Sequence, residues 1–511
     1  MKKLLIYFLL SSAILFQSCE KFLQEDPRSL VTPDKFFRTP ADAVAAVNGV
    51  YVALLKSEVI SNQNFFVSEL TADDAFYAGT PVFERDQLNL LTFDEKSTYF
   101  RDVWANRYRA ISRANEILLY VNSSNAGALA DRVRAEACFL RAFSYFDLVR
   151  WFGDVPLVTK VVSDPFPAKT SLSIVYDQII EDLKYAEQYL DDKYAYMDPN
   201  GGRVTKAAAK GLLGKVYLTM AGEPLKKTEM FALAELKLKE VIDNRVQYGL
   251  AFQPVYRDMF PILPTDATKA LNTENMFYSR SHSTLSSVSG SWSFNRIQTW
   301  TRQFNFRASS DIINPTETNA TGVYQRNDLR RKTNVGRTRG TTLVDIDATG
   351  SAISGASAIV VTKYIDFGNT SNSAIDLPIL RYTEVLLMYA EALIEQNKDL
   401  DIAKGYINMT RGRGGIGNTT AVGQVALRTE LRAERHREFF FEGIRRNDLV
   451  RWGIYNQTVK AAKQRSFQYH RNSSIGNIDY MDDLKYILFP IPYNDLVANI
   501  NLVQNTGYVG R

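Results

Sequence analysis

One stretch constrains the fold of this chain more than any other: Arg132 to Val158, RVRAEACFLRAFSYFDLVRWFGDVPLV. Ala135, Phe139, Ala142, Phe146 and Val149 recur at steps of three and four, which is one face of an α-helix. Cys138, Tyr145 and Leu148 give apolar groups to a second face, with Arg134 and Arg141 between. A helix apolar on two faces is buried between other helices rather than laid on a surface. Gly153 follows the periodic run and Pro156 comes soon after, so the helix is expected to stop there. The stretch is a packing element and carries no evident chemistry.

Helical periodicity continues on both sides. Ala41 to Leu55, Trp104 to Tyr120, Ser171 to Leu190 and Thr228 to Asp243 all place apolar residues on one face. Thr205 is a suitable N-cap for KAAAKGLLGKVYLTM, in which Ala208, Gly211 and Leu212 offer small residues where a neighbouring helix can come close. Leu380 to Glu395, Leu400 to Arg411 and Leu427 to Glu442 read the same way near the C-terminus. Helix pairs of this kind, at a spacing of roughly 34 residues, resemble tetratricopeptide repeats without the full consensus. The expected fold is mainly α, a helical-pair scaffold.

Between the halves, residues 247–378 change character. Ser, Thr, Asn and Gly rise and the helical period disappears, with short strand-like runs such as Ala358 to Tyr364. A long irregular insertion in a helical protein is functional or disordered. Trp292, Phe294, Trp300, Phe304 and Phe306 within it argue against disorder. A second loop, Thr71 to Leu91, carries Asp73, Asp74, Phe76, Tyr77, Phe83, Glu84 and Arg85.

Several chemistries find no footing. The net charge of +5 is small for 511 residues, and no clustered basic face supports nucleic-acid binding. Cys19 and Cys138 are the only cysteines, one in the leader and one inside the buried helix, which argues against a disulfide framework and a cysteine metal site. His282, His436 and His470 are far apart in sequence, and HExxH does not occur. Gly412, Gly414 and Gly417 fit GxGxxG but follow a helix, with no βαβ setting; they read as a turn between scaffold helices. Glu434, Arg437, Glu438, Glu442, Arg445, Arg446, Asp448 and Arg451 form a dense charged cluster, expected to be an ion-pair network that docks the last helices. No catalytic residue, cofactor or metal is expected.

The N-terminus reads as a secretory leader. Lys2 and Lys3 precede an apolar run from Leu4 to Phe16 that is too short to span a bilayer. Gln17-Ser18-Cys19 then resembles a bacterial lipobox, which implies a signal peptide over 1–18 and acylation of Cys19. Several acyl chains would anchor the protein stably. Residues 19–40, with Pro27, Pro33 and Pro40, favour an extended strap.

Three segments carry a family resemblance: AEACFLRAFSYFDLVRWFGDVPLV, ERHREFFFEGIRRNDLVRWG from Glu434 to Gly453, and FPIPYNDLVANINLVQNTGY from Phe489 to Tyr508. In order along the chain, and together with the leader, they resemble the SusD/RagB family, surface lipoproteins of nutrient-uptake systems in Bacteroidetes. The resemblance implies a SusD-like α/α superhelix, with helical scaffold over 41–246 and 379–511 and a ligand-binding insertion over 247–378. It also implies a non-enzymatic, lipid-anchored protein on the extracellular face of the outer membrane. Such a protein binds an oligosaccharide and delivers it to a SusC-like TonB-dependent transporter. The resemblance leaves open peptide capture of the RagB kind, or a transporter lid with little ligand affinity of its own. Aromatic rings stack on the apolar faces of sugars, and carboxylates and amides bond their hydroxyls. Trp292, Trp300 and Phe294 are the expected platforms, with Tyr77 and Asp74 contributing; Trp104 and Trp151 are expected in the core.

Overall fold

The computed structural model describes residues 33–55, 63–77, 83–161, 164–261, 263–280, 306–308, 323–325, 327–339, 342–344, 358–364, 375–470 and 484–510. The leader, Cys19, Trp292, Phe294 and Trp300 lie outside the described residues. Within them the chain is mainly helical, with two small antiparallel sheets. The first scaffold half holds α1 (Pro40–Leu55), α2 (Gln63–Leu70), α3 (Phe83–Leu90), α4 (Thr98–Tyr120), α5 (Ala130–Phe152), α6 (Leu172–Tyr189), α7 (Lys206–Ala221) and α8 (Met230–Asp243). The second half holds α9 (Tyr382–Glu395), α10 (Leu400–Gly414), α11 (Gln424–Glu438), α12 (Arg445–Arg451) and α13 (Tyr455–His470). No helix among the described residues is long and apolar enough to cross a membrane.

Helix α5 sits at the centre, packed against α1, α4 and α6. Every residue from Ala135 to Val149 is buried, so the helix is enclosed on all sides rather than on two faces. Enclosure requires its polar side chains to be paired. Arg141 donates to both carboxylate oxygens of Asp182, at 2.8 and 2.7 Å, and to Asn115. Glu136 accepts from Arg203 at 2.8 Å and from the Tyr51 hydroxyl at 2.9 Å. Phe139 and Phe143 meet the edge of Phe277, with ring centroids 5.1 and 5.3 Å apart. Each such ring contributes about 1.5–3 kcal/mol over leaving it in water. The helix ends at Gly153, whose φ of +71° suits glycine; a Cβ there would lie 2.8 Å from Leu488 Cδ1. Trp104, Trp151 and Cys138 are all buried, and burial pushes the Cys138 thiol up.

Thr205 caps α7 by accepting from the Ala208 N–H. The close approach expected at Gly211 is made by a different partner. Its Cβ position faces Met276 Cε at 2.9 Å and Leu380 Cδ2 at 3.1 Å, both on strands. The neighbouring helix α8 comes close at Gly214 instead, where a Cβ would lie 2.5 Å from Leu238 Cδ2. Pro33–Phe36 is a single helical turn, so the end of the strap is not extended.

The strands are β1 (Ala75–Tyr77), β2 (Asn275–Ser279), β3 (Phe306–Ala308), β4 (Val335–Arg339), β5 (Thr342–Val344), β6 (Ala358–Val361) and β7 (Leu377–Arg381). β2 and β7 form an antiparallel pair, and the other five form one sheet in the order β1-β3-β6-β4-β5. Thr71 to Leu91 is therefore more than a loop, since it supplies β1 and α3.

Candidate ligand face

Two regions distant in sequence are stitched together by backbone. β1 pairs antiparallel with β3, with Ala75 opposite Ala308, Phe76 opposite Arg307 and Tyr77 opposite Phe306. The Thr71 to Leu91 segment thereby becomes one edge of the sheet built by the insertion.

Interactions on that edge are specific. Asn89 of α3 clamps the Tyr77 backbone, accepting from its N–H at 3.0 Å and donating to its carbonyl at 2.9 Å. Arg85 donates to the Tyr77 hydroxyl at 2.9 Å and to the Tyr99 hydroxyl at 3.0 Å, and its guanidinium lies over the Phe66 and Tyr77 rings. Glu84 accepts from the N–H and hydroxyl of Thr98 at 2.7 and 2.6 Å. That cap, supplied by another helix, explains why α4 starts at Thr98, ahead of its apolar stripe. Phe83, at the first position of α3, is 78% exposed.

Of the expected ligand contacts, Tyr77 is buried under Arg85 and Asp74 is fully buried. Asp74 Oδ1 lies 2.5 Å from His436 Nε2, and its Oδ2 accepts from the Phe441 N–H at 3.3 Å. This placement differs from a contact with ligand: Asp74 faces the C-terminal half of the scaffold, and Tyr77 braces the strand. Neighbouring Asp73 is bidentate with Arg445 at 2.8 Å. Burial acts to raise the Asp73 carboxyl, but the Arg445 charge outweighs it and holds the group well below the usual carboxylate range. Asp73, Asp74 and His436 bring potential metal ligands within 4.8 Å of one another. Their donor atoms are already taken by Arg445, by the Phe441 N–H and by each other, so the set does not fit a cation.

The segment from Glu434 to Gly453 roots both regions. On one side the Gly443 N–H bonds Glu69 at 2.5 Å, and just beyond the segment, on α13, the Tyr455 hydroxyl bonds the Thr71 carbonyl at 2.6 Å and Lys463 bonds the Leu70 carbonyl at 2.8 Å. On the other it holds the insertion. Arg330 Nη1 donates to Glu434 at 2.6 Å and to Glu438 at 3.0 Å. Lys363 donates to Glu442 at 2.6 Å and to the Phe440 carbonyl and the Tyr256 hydroxyl at 2.8 Å. Arg381 reaches Glu442 at 2.9 Å and Glu274 at 3.1 Å, and Arg413 joins Glu274 to Glu438. Burial acts to raise Glu438, but Arg413, Arg381 and Arg330 overcome it and hold its pKa at about 2. Burial lowers Lys363 to about 8. A carboxylate fixed in its ionised form between guanidinium groups has no proton to donate and no free lone pair to activate water. The cluster is a frame that holds the insertion and the Thr71 to Leu91 segment against the scaffold.

Comparison with known proteins gives the family. The SusD family model matches residues 292–508, and a second, for starch-binding proteins associating with the outer membrane, matches residues 21–218. SusD-like protein P2 of Formosa agariphila is 28% identical, over 95% of this chain and 96% of its own length. The starch-binding protein SusD of Bacteroides thetaiotaomicron is 25% identical, over 87% of this chain and 85% of its own. A crystal structure of a SusD homologue from Bacteroides thetaiotaomicron superposes with a TM-score of 0.77 at 24% identity, covering 94% of this chain and 99% of that one. The chain belongs to the SusD/RagB family, which is a family of binding proteins.

Proposed function

We propose that this protein captures an oligosaccharide on the face where the Thr71 to Leu91 segment meets the insertion, without covalent chemistry. The observation that carries the reading is the β1–β3 pairing, which joins the two aromatic-bearing regions and leaves Phe83 exposed beside them. A flat exposed ring suits a sugar, whose apolar C–H face stacks on it. Trp292, Trp300 and Phe294 remain the proposed platforms, with residues 247–378 as the element that sets selectivity. Phe83 joins them in place of Tyr77 and Asp74. The starch-binding name of the SusD relative supports a glycan over a peptide. Acylated Cys19 would tether the protein to the extracellular face of the outer membrane, where it would pass the glycan to a SusC-like TonB-dependent transporter.

Calorimetric titration against polysaccharides, oligosaccharides and peptides tests this. Saturable binding of one glycan class, weakened by about 1–3 kcal/mol in Trp292→Ala, Trp300→Ala or Phe83→Ala, is expected, the scale of stacking on an aromatic ring. Binding of peptides alone, or glycan binding untouched by all three changes, would overturn it.

A further inference from the structure

Three buried arginines around the insertion are answered by carboxylates. Arg330 meets Asp328, Glu434 and Glu438, Arg381 meets Glu274, Glu438 and Glu442, and Arg413 meets Glu274 and Glu438. Arg257 departs from that pattern. It stands on the short 3-10 turn Tyr256–Met259, near the start of the insertion, and is half-buried. Its one hydrogen bond runs from Nη1 to the Thr333 carbonyl at 3.4 Å, long for a charged donor. Among the described residues no carboxylate lies within ion-pair distance of it, its exposed neighbour Asp258 included.

A guanidinium has five N–H donors to satisfy. Nε and Nη2 of Arg257 have no partner, yet neither is sealed in the interior, so both can be reached from solvent. Burial pushes the pKa of the group down to about 10, and Tyr256 alone acts against that. Arg381, with three carboxylates around it, is held well above its usual value despite its burial. A half-buried charge without a counter-charge is unfavourable, and such groups gather where a ligand supplies the partner.

Strand register relates Arg257 to the ligand face. Tyr77 lies opposite Phe306, and Val335 opposite Val361. Arg307 pairs with Val360, so Phe306 and Val361 are also neighbours, and the four residues make one row across an end of the sheet. Thr333, which accepts from Arg257, precedes Val335 and lies off that end. α3 is fixed to the same row, since Asn89 and Arg85 both bond Tyr77. With β3 and β6 between β1 and β4, the two positions are three strand spacings apart, about 14 Å.

We infer that Arg257 receives an acidic group of the captured glycan, a uronic carboxylate or a sulfate ester, so that the ligand is anionic. The inference rests on the glycan capture proposed above. Either group offers paired oxygens that suit the fork of Nε and Nη2, a geometry lysine cannot reproduce. A chain stacked on Phe83 and extended along this end of the sheet brings a later, acidic unit to Arg257.

Calorimetry on the full chain tests this. The probes are polygalacturonate beside its carboxyl-reduced form, carrageenan beside its desulfated form, and neutral laminarin. Saturable binding of one acidic polymer is expected, at least tenfold tighter than its neutral counterpart, and the polymer bound tells carboxylate from sulfate. Arg257→Gln is expected to weaken the acidic polymer at least tenfold and leave the neutral counterpart unchanged. Arg257→Lys, which keeps the charge without the fork, is expected to fall between. Lys239→Ala removes an exposed charge elsewhere and is expected to change neither affinity. If Arg257→Gln does not fold, Arg257→Lys and the acidic-to-neutral ratio of the unmodified protein decide. Equal affinity for an acidic polymer and its neutral counterpart, binding of laminarin alone, or a preference that survives Arg257→Gln overturns the inference while glycan capture stands. Silence toward every polymer, or binding of peptides alone, is a failure of glycan capture itself and overturns both.

Discussion

Helix α5 and the Glu434 to Gly453 segment are both deeply buried, and they are buried by opposite means. α5 is enclosed mostly by hydrocarbon, with its buried charges Glu136, Arg141 and Asp147 each paired to a side chain of a neighbouring element. The later segment is enclosed by charge: Glu434, Arg435, Glu438 and Arg446 are almost wholly inside and mostly held by ion pairs or carbonyls. Hydrocarbon packing is non-directional, so α5 fixes where its neighbours lie but leaves their ends free. Charge-assisted hydrogen bonds are directional, so the later segment fixes particular atoms of particular loops. The two segments thus divide the labour between holding a scaffold together and aiming a surface.

Substitutions can break this contrast. Glu438→Gln leaves Arg413, Arg381 and Arg330 buried without their shared carboxylate and should cost about 3–5 kcal/mol in denaturant unfolding. It should also abolish glycan binding at temperatures where the scaffold stays folded. The same carboxylate gives a pH signature. Its pKa is depressed in the folded state from 4.5 to about 2. Its stabilisation is therefore complete above the unfolded value and disappears as pH falls through that window. Acid titration of wild type should show this loss, and the Gln variant should lack it.

Leu140→Ala, in the hydrocarbon-packed helix, should cost about 2–5 kcal/mol by leaving a cavity. Unlike the hub change, it should leave glycan affinity intact in the fraction that remains folded. Equal loss of affinity in both variants would erase the division of labour. Gly214→Ala should cost about 1–3 kcal/mol, because its Cβ would lie against Leu238 and α8 must shift. At the bottom of the range, Lys239→Ala breaks an exposed pair with Asp243 and should leave the unfolding midpoint unchanged.

Much of the scaffold was legible because helical periodicity is a local signal. The stop of α5 at Gly153 and the Thr205 cap both follow from neighbours in sequence. The start of α4 was not, because its cap is Glu84 from another helix. β1 is only three residues long, too short for a period of two to declare itself. The roles of Asp74 and Tyr77 were read from residue type, which suits a sugar hydroxyl and a buried partner equally well. His436, which claims Asp74, is 362 positions away, and no local pattern could announce it. Phe83 stood in the segment singled out, yet sequence gives no sign of whether the first residue of a short helix points inward or out. The charged signature was legible as a network, but not as the common root of two loops.

That common root bears on how such a protein can change over generations. The insertion enters past Tyr256 and Glu274 and leaves past Lys363 and Arg381, all four gripped at or beside one short segment. Sequence between those anchor points can be exchanged without dismantling the grip, provided Tyr324 and Arg330, which also bond the segment, are kept. The scaffold then behaves as a socket, and what is plugged into it can be swapped while the socket stays.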